Sequence, residues 1–383
     1  MFRSKTTYGP IAIDIGATGI KMLQLGHEGG RPVVLAAVHK RVHPNPSDPE
    51  KHQAELKEAL REGLSQAPFV GREAVCAMGT GEFEMKSLRL PRMPPEDLAS
   101  AIEFEAHDRF DLGGKPAQYR HLIAGEVRHG NEIKQEVIVF AAPEQFVSNR
   151  LALLESVRLI PIAVDLAPLA VARAFMRFLR RAEDSSAVNA FVDIGWRAAH
   201  VIITHGTEIA FIKQVEGAGG QHFTEATGAV LNLDVRRALD LRIKRMQSTA
   251  SRRATDQSAI NQEIDHAVGD AVRPLVDKLL KEVQLCLRYF AVTFRGQRPE
   301  CVTLVGGEAS DPAIVGAFTK ELDVACMIGH PLRGVGNMTA AGAREDFNYQ
   351  PAWSVACGLS LRGSQWVQPV GAAPAEQSMA MAQ

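Results

Sequence analysis

The chain has 383 residues, of which 46% are hydrophobic and 23% charged, as is typical of proteins that fold around a large core. The 43 basic and 44 acidic residues give a net charge of −1, without the overall positive charge usual in nucleic-acid or acidic-membrane binders. The five cysteines are widely spaced and form no CxxC motif, which excludes a disulfide scaffold and argues against a four-thiolate zinc site. This length predicts two or three domains.

The sequence offers no run of about 18 apolar residues and no apolar stretch at its start that would suit a signal peptide. We therefore expect a cytoplasmic protein without direct membrane insertion and without a nucleic-acid partner.

Strand-like and helix-like segments alternate along the chain, which predicts an α/β fold. The leucines Leu56, Leu60 and Leu64, four residues apart behind a Ser/Asp cap, indicate a helix over residues 48–66. Further helices are predicted over residues 95–110, 143–160, 165–181 and 271–294. Strands are predicted over residues 33–40, 73–80, 119–128, 136–142 and 301–305.

Two segments repeat one pattern, IAIDIGATGIKMLQL at residues 11–25 and AFVDIGWRAAHVII at residues 190–203. In each, an apolar run, Asp-Ile-Gly, a short turn and a second apolar run predict a β-hairpin. The copies are too far apart for a solenoid repeat and indicate two related domains. We place these domains at residues 1–185 and 186–367, with a disordered tail over residues 368–383 that is rich in Ala, Gln and Pro.

The first hairpin contains residue types that suit a phosphate group. Its glycines allow a tight turn and close approach of a ligand, and a hydroxyl and an ammonium add donors. The candidates are Asp14, Gly16, Ala17, Thr18, Gly19 and Lys21. Asp14 at a strand end is suited to hold Mg²⁺ through water. The alternative for this segment is an ordinary hairpin with a turn aspartate.

The second hairpin offers Asp193, Gly195, Trp196 and Arg197. Two such hairpins facing one cleft would clamp a polyphosphate, with a metal between Asp14 and Asp193. A third motif, Gly306-Gly307 followed by Glu308, lies where a buried strand meets a helix. It would let a flat ring lie on the backbone, and its alternative is a simple strand-to-helix turn.

In order and spacing, these motifs resemble the phosphate and adenosine loops of the actin/Hsp70/sugar-kinase superfamily. Within it, the chain resembles the type IV pilus assembly proteins of the PilM family over about residues 10–363. The matching segments are residues 88–112, 164–175, 209–227, 281–290 and 353–363.

The resemblance implies an actin-like (FtsA-like) fold, in which two related domains enclose a nucleotide cleft. It implies a small inserted subdomain at about residues 88–142 and a second-domain subdomain at about residues 216–290. It adds Gly219, Gly220 and Arg242 to the nucleotide-binding candidates, with ATP and Mg²⁺ as ligands. Leu239 and Arg242 stand where the family usually has Glu and Lys, so we expect reduced nucleotide affinity and at most a weak ATPase.

The resemblance also implies a function. The protein would be an adaptor of a type IV pilus, or related secretion, platform at the inner face of the inner membrane. It would dock the N-terminal tail of a PilN-like single-pass membrane protein and contact other platform proteins; self-association stays open. We expect the docking groove to use Leu90, Met93, Leu98, Ile102 and Phe104.

Two alternatives remain open at this point. A sugar- or acetate-kinase-like phosphotransferase needs a catalytic carboxylate, for which Asp165 is the candidate, although an N-cap role suits it as well. An FtsA-like cytoskeletal protein would be expected to end in an amphipathic membrane-targeting helix, which the Ala/Gln/Pro-rich tail does not resemble.

Overall fold

The structure, a computed structural model, describes residues 7–28, 31–43, 48–129, 132–250, 259–294, 296–336 and 350–363. The tail predicted over residues 368–383 lies outside the described residues.

The helices and strands alternate as expected for an α/β protein. The first half contains β1 (Thr7–Tyr8), β2 (Ile11–Gly16), β3 (Gly19–Glu28), β4 (Arg31–Arg41), α1 (Pro49–Gln66), β5 (Glu73–Met78), β6 (Glu84–Pro91), α2 (Pro95–Arg109), β7 (Ala117–His129), β8 (Glu132–Pro143), α3 (Glu144–Glu155), β9 (Ile160–Leu166) and α4 (Ala167–Met176). The second half contains β10 (Val188–Ile194), β11 (Ala198–His205), β12 (Glu208–Glu216), α5 (Gly220–Leu231), α6 (Val235–Ala250), α7 (Ala259–Thr293), β13 (Cys301–Val305), α8 (Pro312–Glu321), β14 (Ala325–Ile328) and α9 (Ser354–Ser360).

Two sheets share one topology. The first runs β1-β3-β2-β5-β9, with β4 on β3, and the second runs β12-β11-β10-β13-β14. In each, an antiparallel hairpin, β2–β3 or β10–β11, precedes a strand that pairs in parallel with the first hairpin strand. The repeated Asp-Ile-Gly pattern thus corresponds to a repeated supersecondary unit.

The inserted elements form a third, antiparallel sheet of order β6-β8-β7. They run from Glu84 to Pro143, and α2 packs its apolar side on this sheet. Leu88, Leu98 and Val139 belong to the resulting core.

Residues 160–166 correct part of the helix prediction. They form β9, which pairs in parallel with β5, where the sequence pattern gave the end of one helix and the start of the next. The helix before β9 ends at Glu155, and Arg158 has a φ of 63°, in the left-handed region that helices do not continue through. The strand therefore depends on a local break and a distant partner.

A hydrophobic core joins the two halves. It contains Ala12 and Leu23 of the first sheet together with Phe191 and Ile202 of the second. This shared core joins the two sheets, and the aspartates of the two Asp-Ile-Gly hairpins are close enough to interact.

Candidate functional site

The two hairpin aspartates face one cleft. Asp14 lies 3.5 Å from the ammonium of Lys21, its register partner on β3. Asp193 is buried, and burial followed by the negative charge of Asp14 raises its pKa to about 7, with Lys21 opposing the shift. Two carboxylates close enough to interact in this way favour a cation between them.

The first turn is built for close packing of the backbone. Gly16 and Gly19 pair across it, and Ala17 and Thr18 form its tip. A side chain at Gly19 would put its Cβ 2.5 Å from the Lys40 carbonyl oxygen, so only glycine fits there. The Thr18 carbonyl accepts a hydrogen bond from Val42 N–H at 3.1 Å.

The second turn is fixed to the start of α5. Gly195 N–H donates to the Ala198 carbonyl at 3.1 Å, which closes the turn. Gly220 N–H donates to the Gly195 carbonyl at 2.9 Å, and Gln221 N–H donates to the Trp196 carbonyl at 2.8 Å. These two amides of the first turn of α5 are therefore engaged by the protein's own carbonyls.

The second turn also reaches the other half of the molecule. Arg197 donates from Nη1 to the Thr80 carbonyl at 3.3 Å. Trp196 lies beside the start of α5, where its ring is 3.1 Å from the position that a Cβ on Gly220 would take. Gly219 is packed even more closely, since its Cβ would lie 2.5 Å from the Trp196 carbonyl oxygen.

The third loop closes the same cleft. Gly306 has a φ of 93°, and its Cβ would lie 2.5 Å from Oδ1 of Asp193. Glu308 N–H donates to the Ile194 carbonyl at 3.2 Å. The structure thus brings Asp14, Asp193 and the Gly306-Gly307 turn together, as the three sequence motifs predict.

Arg242 is completely buried within this region. It lies 2.5 Å from Glu308 and 3.0 Å from Asp311, and it donates at 3.2 Å to both the Gly220 carbonyl and the Thr224 hydroxyl. Its Nε is a buried donor with no hydrogen-bond partner among the described residues. Burial raises the pKa of Glu308, and the ion pair with Arg242 opposes that shift.

A nucleotide fits one end of this cleft better than the other. The phosphate end offers Thr18, Lys21 and the two aspartates, which suits a hydrated Mg²⁺. At the nucleoside end, Glu308 and Arg242 bind each other, although the unpartnered Nε is a donor that a ligand would satisfy. No group of three or more His, Cys, Asp or Glu side chains suits a metal in the parts of the chain described.

The mouth of the cleft is a cavity of about 700 Å³ between the two halves. Trp196 and Leu239 line one side of it, and Lys40 and Arg41 line the other. Leu239 is buried and presents no hydrogen-bonding group to a ligand.

The contacts of Asp165 favour neither of the two roles expected from the sequence, a catalytic carboxylate or a helix N-cap. One carboxylate oxygen accepts from Arg173 at 2.7 Å and from Arg362 at 2.9 Å, and the other accepts from Leu166 N–H at 2.8 Å. The N-cap residue of α4 is Leu166 rather than Asp165, so the N-cap prediction is wrong. With both oxygens engaged by the protein, the geometry does not favour Asp165 as a catalytic base.

The predicted partner-binding residues need a second correction. Leu90, Leu98 and Ile102 lie in the core of the inserted subdomain, at 8%, 2% and 2% exposure, because α2 turns its apolar side to its own sheet. Met93 packs against the same core, whereas Phe104 is 74% exposed. Three of the five side chains therefore do not line an open groove.

A different groove, of about 860 Å³, lies beside the inserted subdomain. We call it the edge groove; it is lined mainly by residues 81–87, 111–115, 145–146 and 212–214. Sequence reasoning missed it, although Phe146 and Ile212 stand out as apolar residues in an amphipathic helix and an alternating strand.

None of the described helices is long and apolar enough to cross a membrane. The chain is similar to a solved PilM–PilN type IV pilus biogenesis complex, with 22% identity over 96% of this chain and 100% of that one and a TM-score of 0.74. It is also similar to the ethanolamine utilization protein EutJ of Carboxydothermus hydrogenoformans, with 14% identity, coverage of 94% and 92%, and a TM-score of 0.51. These similarities confirm the actin-like fold. The sequence model of the type IV pilus assembly protein PilM matches residues 12–364, and the chain belongs to this family.

Proposed function

We propose that this protein is an adaptor of the type IV pilus assembly platform and docks the extended N-terminal tail of a PilN-like membrane protein in the edge groove. Membership of the PilM family supports the role, and the similar PilM–PilN complex supports the kind of partner. Docking to such a partner would hold the protein at the inner face of the inner membrane.

The observation that carries this proposal is the pair of strands beside the edge groove. β6 and β12 are terminal strands of two different sheets, and residues of both line it. A terminal strand offers backbone donors and acceptors to an added peptide, and pockets for alternate side chains supply specificity. Met85, Phe146 and Ile212 provide apolar contacts for such side chains.

We extend the proposal to a nucleotide, ATP with Mg²⁺, in the cleft between the two hairpins. Asp14 and Asp193 would hold the metal through water, and Thr18 and Lys21 would contact phosphate oxygens. The bound metal would supply charge neutralisation. The chain's own residues would orient the phosphates between the two turns.

The two alternative functions are not favoured. A kinase needs a poised base, and Asp165 is bound by two arginines. An FtsA-like role depended on a membrane-targeting tail, and residues 368–383 lie outside the described residues.

The test is fluorescence anisotropy with a labelled N-terminal peptide of a PilN-like protein. We expect Phe146→Asp to weaken peptide binding at least tenfold, because it places a charge on the apolar wall of the edge groove. Val230→Asp, at an exposed apolar position on α5, is the matched control. A loss of binding in Phe104→Asp with unchanged binding in Phe146→Asp would instead place the site on α2.

A further inference from the structure

Charged side chains fill the space between α5 and α8 at the nucleoside end of the cleft. Arg242 and Arg245 of α6 face Asp311, the N-cap residue of α8, and Arg242 also binds Glu308. Arg242 has no exposed surface, and Glu308 is 6% exposed. We call these four residues the ion cluster.

Glu308 of the ion cluster occupies space that a single glycine leaves open. Gly220 begins α5, and Oε1 of Glu308 lies directly against the position that a Cβ there would take. Glu308 itself follows the Gly306-Gly307 turn. The absence of a side chain at Gly220 therefore leaves a space in which the carboxylate of Glu308 sits, held by Arg242.

This arrangement is incompletely satisfied. The buried Nε of Arg242 has no hydrogen-bond partner among the described residues. A buried donor without a partner costs free energy, and ion pairs that exclude water gain less than their contacts suggest. A ligand that offers acceptors to Arg242 can therefore compete with Glu308.

We propose that Glu308, held by Arg242, is an internal competitor of the nucleoside, so that a nucleotide occupies the cleft fully only when Glu308 leaves the space beside Gly220. The proposal rests on the nucleotide site proposed above and assigns Glu308 as the residue that sets its affinity.

The test is calorimetric titration of the full chain with ATP and Mg²⁺, and separately with pyrophosphate and Mg²⁺. We expect Glu308→Ser to bind ATP at least tenfold more tightly than the unaltered chain, because it vacates the space beside Gly220. Pyrophosphate affinity should stay within twofold, since that probe uses only the phosphate end.

Two further variants make the test specific. Glu225→Ser removes an acidic residue from the exposed side of α5, and it should leave ATP affinity unchanged if general charge is not the cause. Glu308→Gln keeps the size of the side chain and should tighten ATP binding at least threefold, so it serves if Glu308→Ser does not fold.

The contrary outcomes are distinct. Equal or weaker ATP binding by both Glu308 variants would overturn the proposal and make Glu308 a ligand of the nucleotide or a bystander. If neither ATP nor pyrophosphate binds to any of the four proteins, the nucleotide site itself is overturned, and this inference with it. Peptide binding in the edge groove is measured independently of both.

Discussion

Asp14 and Asp193 stand at equivalent positions of two repeated hairpins, and the negative charge of Asp14 acts on Asp193 across the cleft. After burial, the negative charge of Asp14 is the next cause that raises the pKa of Asp193 to about 7, and Lys21 only partly offsets it. The carboxyl group of Asp193 is therefore protonated at mildly acidic pH. Above neutrality it carries a negative charge, which burial and the charge of Asp14 disfavour.

The first prediction concerns the pH dependence of stability. Because the pKa of Asp193 is raised from 3.8, the folded protein keeps a proton that the unfolded chain releases. The stability contributed by Asp193 is fully present below pH 3.8 and is lost as pH rises to about 7. Asp193→Asn should therefore raise the unfolding midpoint at pH 8, by on the order of 5 °C, and by less at pH 5.

Thermal unfolding of the variant and the unaltered chain at both pH values measures this difference. The half-buried His39 and the buried His200, whose pKa values are lowered chiefly by burial to about 3 and about 4, change stability in the opposite direction in both proteins. Asp323→Asn at an exposed position is the control. A midpoint difference that is the same at pH 5 and pH 8 would contradict the prediction.

The second prediction concerns Mg²⁺. A cation between Asp14 and Asp193 replaces the repulsion of the two carboxylates with attraction, so added Mg²⁺ should raise the unfolding midpoint of the unaltered chain at pH 8. The rise should shrink at pH 5, where protons compete, and should be lost in Asp193→Asn. Equal stabilisation of both proteins would show that Mg²⁺ acts elsewhere.

Elements with local signals were predicted well from the sequence. Helix α1 was expected over residues 48–66 and runs over Pro49–Gln66, because Asp48 caps it by accepting from Lys51 N–H and its leucines repeat every four residues. β9 was missed, because its state depends on pairing with the distant β5. Short apolar segments of this kind carry no period that separates a strand from a buried helix.

In the candidate site, too, features with a local sequence signal could be predicted and features that depend on distant residues could not. The Asp-Ile-Gly motifs are local, so the positions of Asp14 and Asp193 at a shared cleft could be predicted from their repetition. The apolar side of α2 could not be assigned to a partner or to a core, because Leu98 and Ile102 give the same pattern in either case. The ion pair of Arg242 with Glu308 joins residues 66 positions apart and has no sequence signal.

The third prediction links the cleft to the edge groove. Arg197 donates to the Thr80 carbonyl, and Phe83 stacks on His200 of β11 with ring centroids 6.5 Å apart. Residues 81–83 line the edge groove, so the second hairpin supports its wall. Arg197→Ala should weaken peptide binding about threefold, the effect of one net hydrogen bond.

Anisotropy with the labelled peptide tests this effect, and Arg298→Ala, at another exposed arginine, is the control. Because Arg197 is exposed, the unfolding midpoint should hardly change. Peptide binding that is identical in Arg197→Ala and the unaltered chain would show that the wall of the groove stands without the hairpin.

The fourth prediction separates a structural from a catalytic role for Asp165. Its buried carboxylate joins Arg173 of α4 to Arg362, which follows α9, so that its removal leaves two arginines without their shared partner. We expect Asp165→Ala to destabilise the protein by roughly 3 kcal/mol, the usual cost of breaking a buried ion pair from one side. Thermal unfolding measures this effect, with Asp323→Ala as the exposed control.

Below its lowered unfolding midpoint, Asp165→Ala should keep its affinity for the labelled peptide, because the edge groove lies outside these contacts. An unchanged midpoint together with a loss of ATP hydrolysis would instead identify Asp165 as a catalytic group.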